Sequence, residues 1–181
     1  MKKVIILVIC FLGAHAVFSQ KLMTRSGVIG FEASMPAFEE IAAKNKTVSC
    51  ILDESNGDIA ALALVKAFKF KSPLMEEHFN ENYVESSQYP KATFKGKIVN
   101  FDASKLSSTK KSYDLEGDLT IHGVTKKIKT KIILDSASGK VNAASNFSVK
   151  PQDYNIQIPS LVKNKIAEDV KIDFNFILGD K

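Results

Sequence analysis

The sequence predicts an all-β fold, an eight-stranded antiparallel β-barrel with one or two short helices. Three observations predict it: apolar and polar residues alternate over 114–131, other segments repeat this alternation, and turn-forming residues separate the segments. Alternation is the period of a strand with one buried face. Several predicted strands approach ten residues, and closing such strands into a barrel removes exposed edges. A sandwich of two sheets is the main alternative.

Residues 114–131 divide at His122-Gly123, which reads as the two-residue loop of a hairpin. Counting outward from the loop places Ile121 opposite Val124. The same count predicts three pairs of opposite charge across the ladder: Asp118–Lys127, Glu116–Lys129 and Asp114–Lys131. Each pair contributes about 0.2–1 kcal/mol and mainly sets the register, because a slip of one residue would turn every apolar side chain outward.

The remaining strands are predicted in six further segments: 26–33, 47–54, 57–70, 91–101, 139–150 and 170–178.

Two short helices are predicted between the strands. The first lies within 72–86, where Ser72 can cap the helix and Pro73 suits its first turn. The second lies within 36–45, with an apolar face formed by Phe38, Ile41 and Ala42. Such helices either cover a barrel end or pack outside the barrel as connectors.

The N-terminus predicts a secretory signal peptide. Two lysines follow Met1, and the apolar run over 4–14 is too short to cross a bilayer comfortably. Cleavage is predicted after Ala16 or after Ser19, and we favour Ser19. The sequence then consists of a signal peptide, 1–19, and a barrel domain, 20–181.

The cysteine content and the distribution of charge limit the classes of protein to which this chain can belong. Cys10 leaves with the signal peptide, and the remaining Cys50 is expected to be a small buried hydrophobe. Removal of Lys2 and Lys3 lowers the formal charge from +5 to +3. The lysines are interspersed with acids, whereas nucleic-acid binding needs a concentrated basic face. We therefore expect no nucleic-acid partner.

The sequence argues against an enzyme. The two histidines of the mature chain, His78 and His122, are far apart, and no residues have the spacing of metal ligands, a nucleophile motif or a phosphate-binding loop. We expect no metal and no cofactor. The acids around His78 are interpreted as a solvated helix face. His122 is expected to serve its turn or a local hydrogen bond, with ligand gating as the alternative.

Small residues at predicted inward positions leave two interpretations open. They are Ala61, Ala63, Ala67, Gly96, Gly117, Ala143 and Ser145. An eight-stranded barrel is either filled by its own side chains or holds one ligand. Small residues can create a cavity or relieve crowding between coiled strands.

Three segments of the sequence resemble the YceI-like family: GDLTIHGVTKKIK at 117–129, HFNENYVESSQYPKATFKGKI at 78–98 and DYNIQIPSLVKNKIAEDVKIDF at 153–174. The resemblance spans nearly the whole mature chain. It implies a lipocalin-like antiparallel barrel in the bacterial periplasm, with a polyisoprenoid or similar long amphiphile, such as a quinone-type lipid, in its tunnel. The glutamine after the favoured cleavage site and FNENYVES resemble the Bacteroidetes branch, which differs at many tunnel-lining positions.

The resemblance therefore implies an exported, non-enzymatic protein, periplasmic or secreted, that carries or sequesters a long-chain amphiphile (polyisoprenoid, quinone-like or fatty lipid). We expect no stable membrane insertion after signal removal, and a homodimer is compatible with the sequence. The predicted ligand-binding residues are Leu115, Gly117, Leu119, Lys126, Ile128, Ile132, Ala143, Phe147, Phe174 and Phe176.

Two of these predictions are more specific. Lys126 is the candidate partner for a polar head, with a lysine reaching solvent at the rim as the alternative, and Arg25 is a similar candidate. Phenylalanine at Gly117 and Ala143 is expected to block uptake in a folded barrel.

Two other functions remain open at this stage: a packed-barrel stress or interaction protein of the cell envelope without a lipid ligand, and a soluble partner in quinone-linked electron transfer.

Overall fold

A cylinder of antiparallel strands forms the body of the computed structural model, which describes residues 21–179. The strands of the described residues are β1 (Lys21–Ser34), β2 (Ala42–Asp53), β3 (Asp58–Leu64), β4 (Lys69–Phe70), β5 (Lys91–Ile98), β6 (Lys111–Ile121), β7 (Val124–Ala137), β8 (Lys140–Val149) and β9 (Ile166–Leu178). The order is β1-β9-β8-β7-β6-β5-β3-β2, and β2 pairs with β1 to close the barrel. The two-residue β4 adds only to one end of β2. The predicted eight-stranded antiparallel barrel is confirmed, and the sandwich is excluded because the sheet closes on itself.

The hairpin of β6 and β7 has the predicted register. Ile121 lies opposite Val124, and all three predicted charge pairs face each other across the ladder. Lys129 Nζ lies 2.9 Å from Glu116 Oε1, and Lys131 Nζ lies 2.5 Å from Asp114 Oδ1. The turn residues adopt left-handed φ angles of 50° at His122 and 73° at Gly123, as expected for two-residue hairpin loops.

The first predicted helix is confirmed over part of its length. It is α1 (Pro73–His78), in which Pro73 takes the first position and the Ser72 hydroxyl accepts a hydrogen bond from the Met75 amide at 3.5 Å. One π-helical turn, Phe79–Tyr83, continues it. Three single 3₁₀ turns also occur in the described chain: Val65–Ala67, Ala103–Lys105 and Pro151–Tyr154.

The prediction of a second helix within 36–45 is wrong. Residues 35–41 form a turn, and β2 already begins at Ala42. The Ala33 amide donates to the Ile41 carbonyl at 2.8 Å, and Phe31 lies opposite Ala43 in the ladder. Pairing of β2 with β1 completes the barrel, and this tertiary requirement outweighs a weak local helical pattern.

One half of the barrel is solid. Its inward side chains are each at most 3% exposed: Leu22, Cys50, Leu52, Ile98, Ile132, Leu134, Val141, Ala143 and Leu178. Burial of Cys50 confirms its prediction as a core residue. This solid half lies toward the end of the barrel that carries the β2–β3, β5–β6 and β7–β8 connections.

Two glycines allow β5 and β6 to approach closely. Gly96 lies opposite Gly117, and a Cβ atom on Gly117 would stand 2.5 Å from the Gly96 Cα and 2.6 Å from the Phe94 ring. At these two positions the small residues relieve crowding between the strands, which is one of the two interpretations that the sequence left open. The expectation that phenylalanine at Gly117 would leave the barrel folded is wrong, because backbone atoms occupy that space. Ala143 is fully buried in the solid half, so phenylalanine there would also overpack the core.

Two other observations concern the chain as a whole. The predicted signal peptide, 1–19, lies outside the described residues. Within 21–179, no helix has the length and apolar character needed to cross a membrane.

We predict that Gly117→Ala destabilises the barrel by about 1–3 kcal/mol, because the added methyl group has to displace backbone atoms. Urea unfolding followed by circular dichroism measures this change. Gly179→Ala is the matched control, because its Cβ would meet its nearest neighbour, Lys140 Cγ, at an ordinary 3.6 Å. Equal unfolding midpoints for the two variants would contradict the packing argument.

We also predict a component of stability that is lost in alkali. Burial raises the pKa of Cys50 from its usual 9.0 to about 12. Above pH 9 the thiol of the unfolded chain ionises while the folded thiol keeps its proton, so unfolding becomes more favourable by up to about 1.4 kcal/mol per pH unit. Below pH 9 both forms are protonated and the contribution is constant. Unfolding of the wild type and Cys50→Ala at several pH values measures the difference, and identical slopes between pH 9 and pH 12 would contradict it.

Candidate functional site

The other half of the barrel is hollow. It encloses a cavity of about 350 Å³, within the range of about 300–1,000 Å³ that is usual for ligand pockets. Ala61 and Ala63 on β3 and Ala92 on β5 line it. Their small side chains leave the space open, so the other interpretation of small inward residues, a cavity, is correct at this end.

Aromatic rings form the floor of the cavity. Phe174 and Phe176 stack with centroids 4.7 Å apart and an interplanar angle of 12°. Both line the cavity, whereas Leu178, the next inward residue of β9, belongs to the solid half. A Cβ on Gly27 would stand 2.5 Å from the Phe176 ring, so glycine on β1 makes room for this ring.

A cluster of phenylalanines attaches α1 to the barrel. Phe79 stacks on Phe31 of β1 with centroids 5.3 Å apart, and Phe70 lies 5.1 Å from Phe79. Phe68 joins the cluster at 5.5 Å from Phe31. Met75, His78, Phe79, Tyr83 and Val84 line the cavity. The helix and its π turn therefore cover part of the barrel end instead of packing outside it.

The crossover from β8 to β9, residues 150–165, covers the rest. Its 3₁₀ turn buries Pro151 and Tyr154, and Tyr154, Ile156 and Ile158 face the cavity at a spacing of two residues. Val162 and Lys165 also line the cavity, and because Lys165 is exposed to solvent as well, we call this side of the cavity its mouth.

His122 connects these covering segments. Its Nδ1 lies 3.1 Å from the Tyr154 carbonyl oxygen, and its Nε2 lies 2.8 Å from Glu85 Oε2. The Tyr89 ring meets the imidazole edge at a centroid distance of 4.3 Å. Each ring nitrogen therefore lies within hydrogen-bond distance of an oxygen on a different covering segment. The sequence predicted a role within the turn, and the structure adds long-range bonds to two other segments.

Six of the ten predicted ligand-binding residues lie around the cavity: Leu115, Leu119, Ile128, Phe147, Phe174 and Phe176. Ile132 and Ala143 lie in the solid half, and Gly117 packs against Gly96. Lys126 is exposed and does not line the cavity, which fits the alternative of a lysine directed to solvent. Arg25 is exposed near the solid end of β1. Ligand binding by the six residues stays a prediction.

The chemistry of the cavity follows from its lining. Its lining is almost wholly apolar, with Thr93, Thr130, His78, His122 and Lys165 among the few polar residues. In the part of the chain that the structure describes, no group of three or more His, Cys, Asp or Glu side chains could hold a metal ion. The arrangement suits an apolar molecule that is retained by burial.

Comparison with protein families decides the relationship of this chain. The model of the family described as the YceI-like domain matches residues 20–178. The chain belongs to the YceI-like family. Comparison with curated protein sequences finds no match.

Solved structures share the YceI-like fold. A polyisoprenoid-binding domain from Saccharophagus degradans, implicated in plant cell wall breakdown, aligns with a TM-score of 0.77 and 15% identity over 90% of this chain and 99% of its own. BcnA from Burkholderia cenocepacia aligns at 0.69 and 16% identity, covering 84% and 96%. The YCEI protein of Campylobacter jejuni aligns at 0.61 and 15% identity, covering 81% and 88%. At these identities the likeness concerns the fold.

We predict that His122→Asn loosens the segments that cover the cavity, namely α1 with the residues after it and the crossover 150–165. Asparagine tolerates the left-handed backbone but is too short to keep both contacts, so amide hydrogen exchange over 84–90 and 151–156 should accelerate. The loss of two hydrogen bonds should cost about 1–3 kcal/mol of stability. Hydrogen exchange measured by mass spectrometry tests this effect. His78→Asn is the control, because it makes the same substitution within the covering segments at a side chain that contacts neither Glu85 nor Tyr154 through a hydrogen bond. Unchanged exchange in His122→Asn would show that the bonds do not hold the cover.

Proposed function

We propose that this protein is an exported, non-enzymatic binding protein that holds the apolar chain of a long amphiphile, a polyisoprenoid or similar lipid, in the hollow half of its barrel. The observation that carries the proposal is the apolar cavity of about 350 Å³. Membership of the YceI-like family supports it, since one structural relative is described as a polyisoprenoid-binding domain.

Burial alone supplies adequate affinity. Each methylene removed from water contributes roughly 0.8 kcal/mol. About ten methylenes therefore contribute on the order of 8 kcal/mol before ordering costs, which corresponds to micromolar binding at best. No charged partner inside the cavity is needed for this affinity. The head of the amphiphile would remain at the mouth, where Lys165 lies.

The proposal includes export to the periplasm, or secretion, after cleavage of residues 1–19, which leaves a domain of 20–181. It also includes an origin in the Bacteroidetes branch of the family. The basic and apolar N-terminus supports export, and the segment FNENYVES supports the branch.

A packed barrel without a ligand is the less favoured function, because the covered half of the barrel is not filled by side chains. An isoprenoid quinone as the ligand would connect the protein with electron transfer, and the chemical identity of the bound lipid distinguishes this case.

We predict that Ala61→Phe abolishes lipid retention, because its ring would occupy the cavity that Ala61 lines. The measurement is organic extraction of the natively purified protein followed by mass spectrometry. The matched control is Ala60→Phe on the same strand, since Ala60 faces solvent. A stoichiometric lipid in the wild type and in Ala60→Phe, absent from folded Ala61→Phe, is expected. An extract from the wild type without lipid, or equal lipid in all three proteins, would contradict the proposal.

A further inference from the structure

Exposed apolar side chains stand on three segments around the mouth of the cavity. Met35 is 37% exposed and Phe38 45% exposed in the β1–β2 turn, and Leu74 is 58% exposed on α1. Leu161 in the crossover is 89% exposed, the highest value for a large apolar side chain among residues 21–179. Single exposed apolar residues are common on protein surfaces, so their position relative to one another and to the cavity has to carry the argument.

The three segments are neighbours. Ser34, the last residue before the β1–β2 turn, lies opposite Ile166, which follows the crossover. On its other side the turn reaches the start of α1, because Glu40 pairs with Lys71. The exposed side chains therefore border one part of the mouth.

Each exposed side chain is close in sequence to a residue that lines the cavity. Leu161 precedes Val162, Leu74 precedes Met75, and Phe38 lies three residues before Ile41. Apolar surface therefore leads along each segment from the cavity to the outside. The grouping of these side chains beside the cavity, more than the exposure of Leu161 alone, points to a surface that is covered when the protein acts.

Charge indicates what covers it. Within the crossover, residues 159–165 contain the exposed Lys163 and Lys165 and no acid, whereas the turn and α1 carry the exposed acids Glu39 and Glu77. Contact with anionic head groups is therefore assigned to the crossover alone. On the adjacent turn, Lys71 pairs with Glu40. An exposed leucine beside unpaired lysines has the composition of a segment that binds an anionic membrane interface, where each lysine contributes about 1 kcal/mol.

We propose that this rim, defined by Met35, Phe38, Leu74, Leu161 and Lys163, docks peripherally on a bilayer that contains anionic phospholipid. Leu161 enters the interface, Lys163 meets the head groups, and the mouth then faces the acyl layer. The inference rests on the proposed function, because docking is useful to a protein that takes up lipid. With the mouth on the bilayer, an apolar chain can pass between bilayer and cavity without crossing water.

The test is co-sedimentation of the lipid-extracted, folded protein with vesicles of phosphatidylcholine and phosphatidylglycerol in equal parts. Leu161→Asp should weaken binding by about tenfold or more, because a leucine no longer leaves water and an acid meets anionic head groups. Lys163→Gln should weaken it by about fivefold at low salt, and high salt should remove this difference. The matched control is Ile177→Asp, which places the same acid at an apolar side chain that is 55% exposed on the barrel wall.

Binding of the wild type and Ile177→Asp, with loss in Leu161→Asp, supports docking through the rim. Failure of the wild type to sediment, or equal loss in Leu161→Asp and Ile177→Asp, overturns it. Unfolding midpoints identify any variant that fails to fold, in which case Leu161→Ser and Ile177→Ser replace the aspartates. Extraction of the native proteins separates the two proposals. Lipid retained without vesicle binding overturns docking alone, whereas vesicle binding by a protein that never contains lipid supports docking and overturns the lipid-binding function.

Discussion

The change in side-chain size along the barrel axis determines the rest of the structure. At one end, leucine, isoleucine and valine side chains from facing strands are almost completely buried in the core. At the other end, alanines on β3 and β5 face phenylalanines and isoleucines on β6 to β9, and the opposite walls do not meet. The solid half supplies hydrophobic stabilisation, so the barrel can leave the other half hollow. The covering segments are then required, because an open hollow would expose the apolar lining to water.

Much of the barrel could be predicted from the sequence, because the period of two is local. The register of β6 and β7 follows from counting outward from His122-Gly123, and it placed Leu115, Leu119 and Ile128 on the inner face correctly. The alternation could not show how far along the axis each residue lies. Ile132 has the same pattern as Ile128 but belongs to the solid half. Gly117 likewise appeared to provide space that Gly96 and Phe94 in fact occupy.

The cover was harder to predict. The segment 36–45 has a helical pattern, yet closure of the barrel requires β2 to begin at Ala42. The contacts of His122 with Glu85 and Tyr154 join positions far apart in sequence, and nothing local indicates them. One signal in the sequence could have revealed part of the cover: Tyr154, Ile156 and Ile158 alternate with polar residues, as in a segment with one inward face.

The two ends of the described chain meet at the solid end of the barrel. The Met23 amide donates to the Gly179 carbonyl at 2.8 Å, and the Gly179 amide donates to the Met23 carbonyl at 3.1 Å. The cavity opens at the opposite end of the barrel. Immobilising the molecule on a solid support through an affinity handle after Gly179 would hence orient the hollow toward the solution. A reporter domain fused at that point would leave the hollow unobstructed.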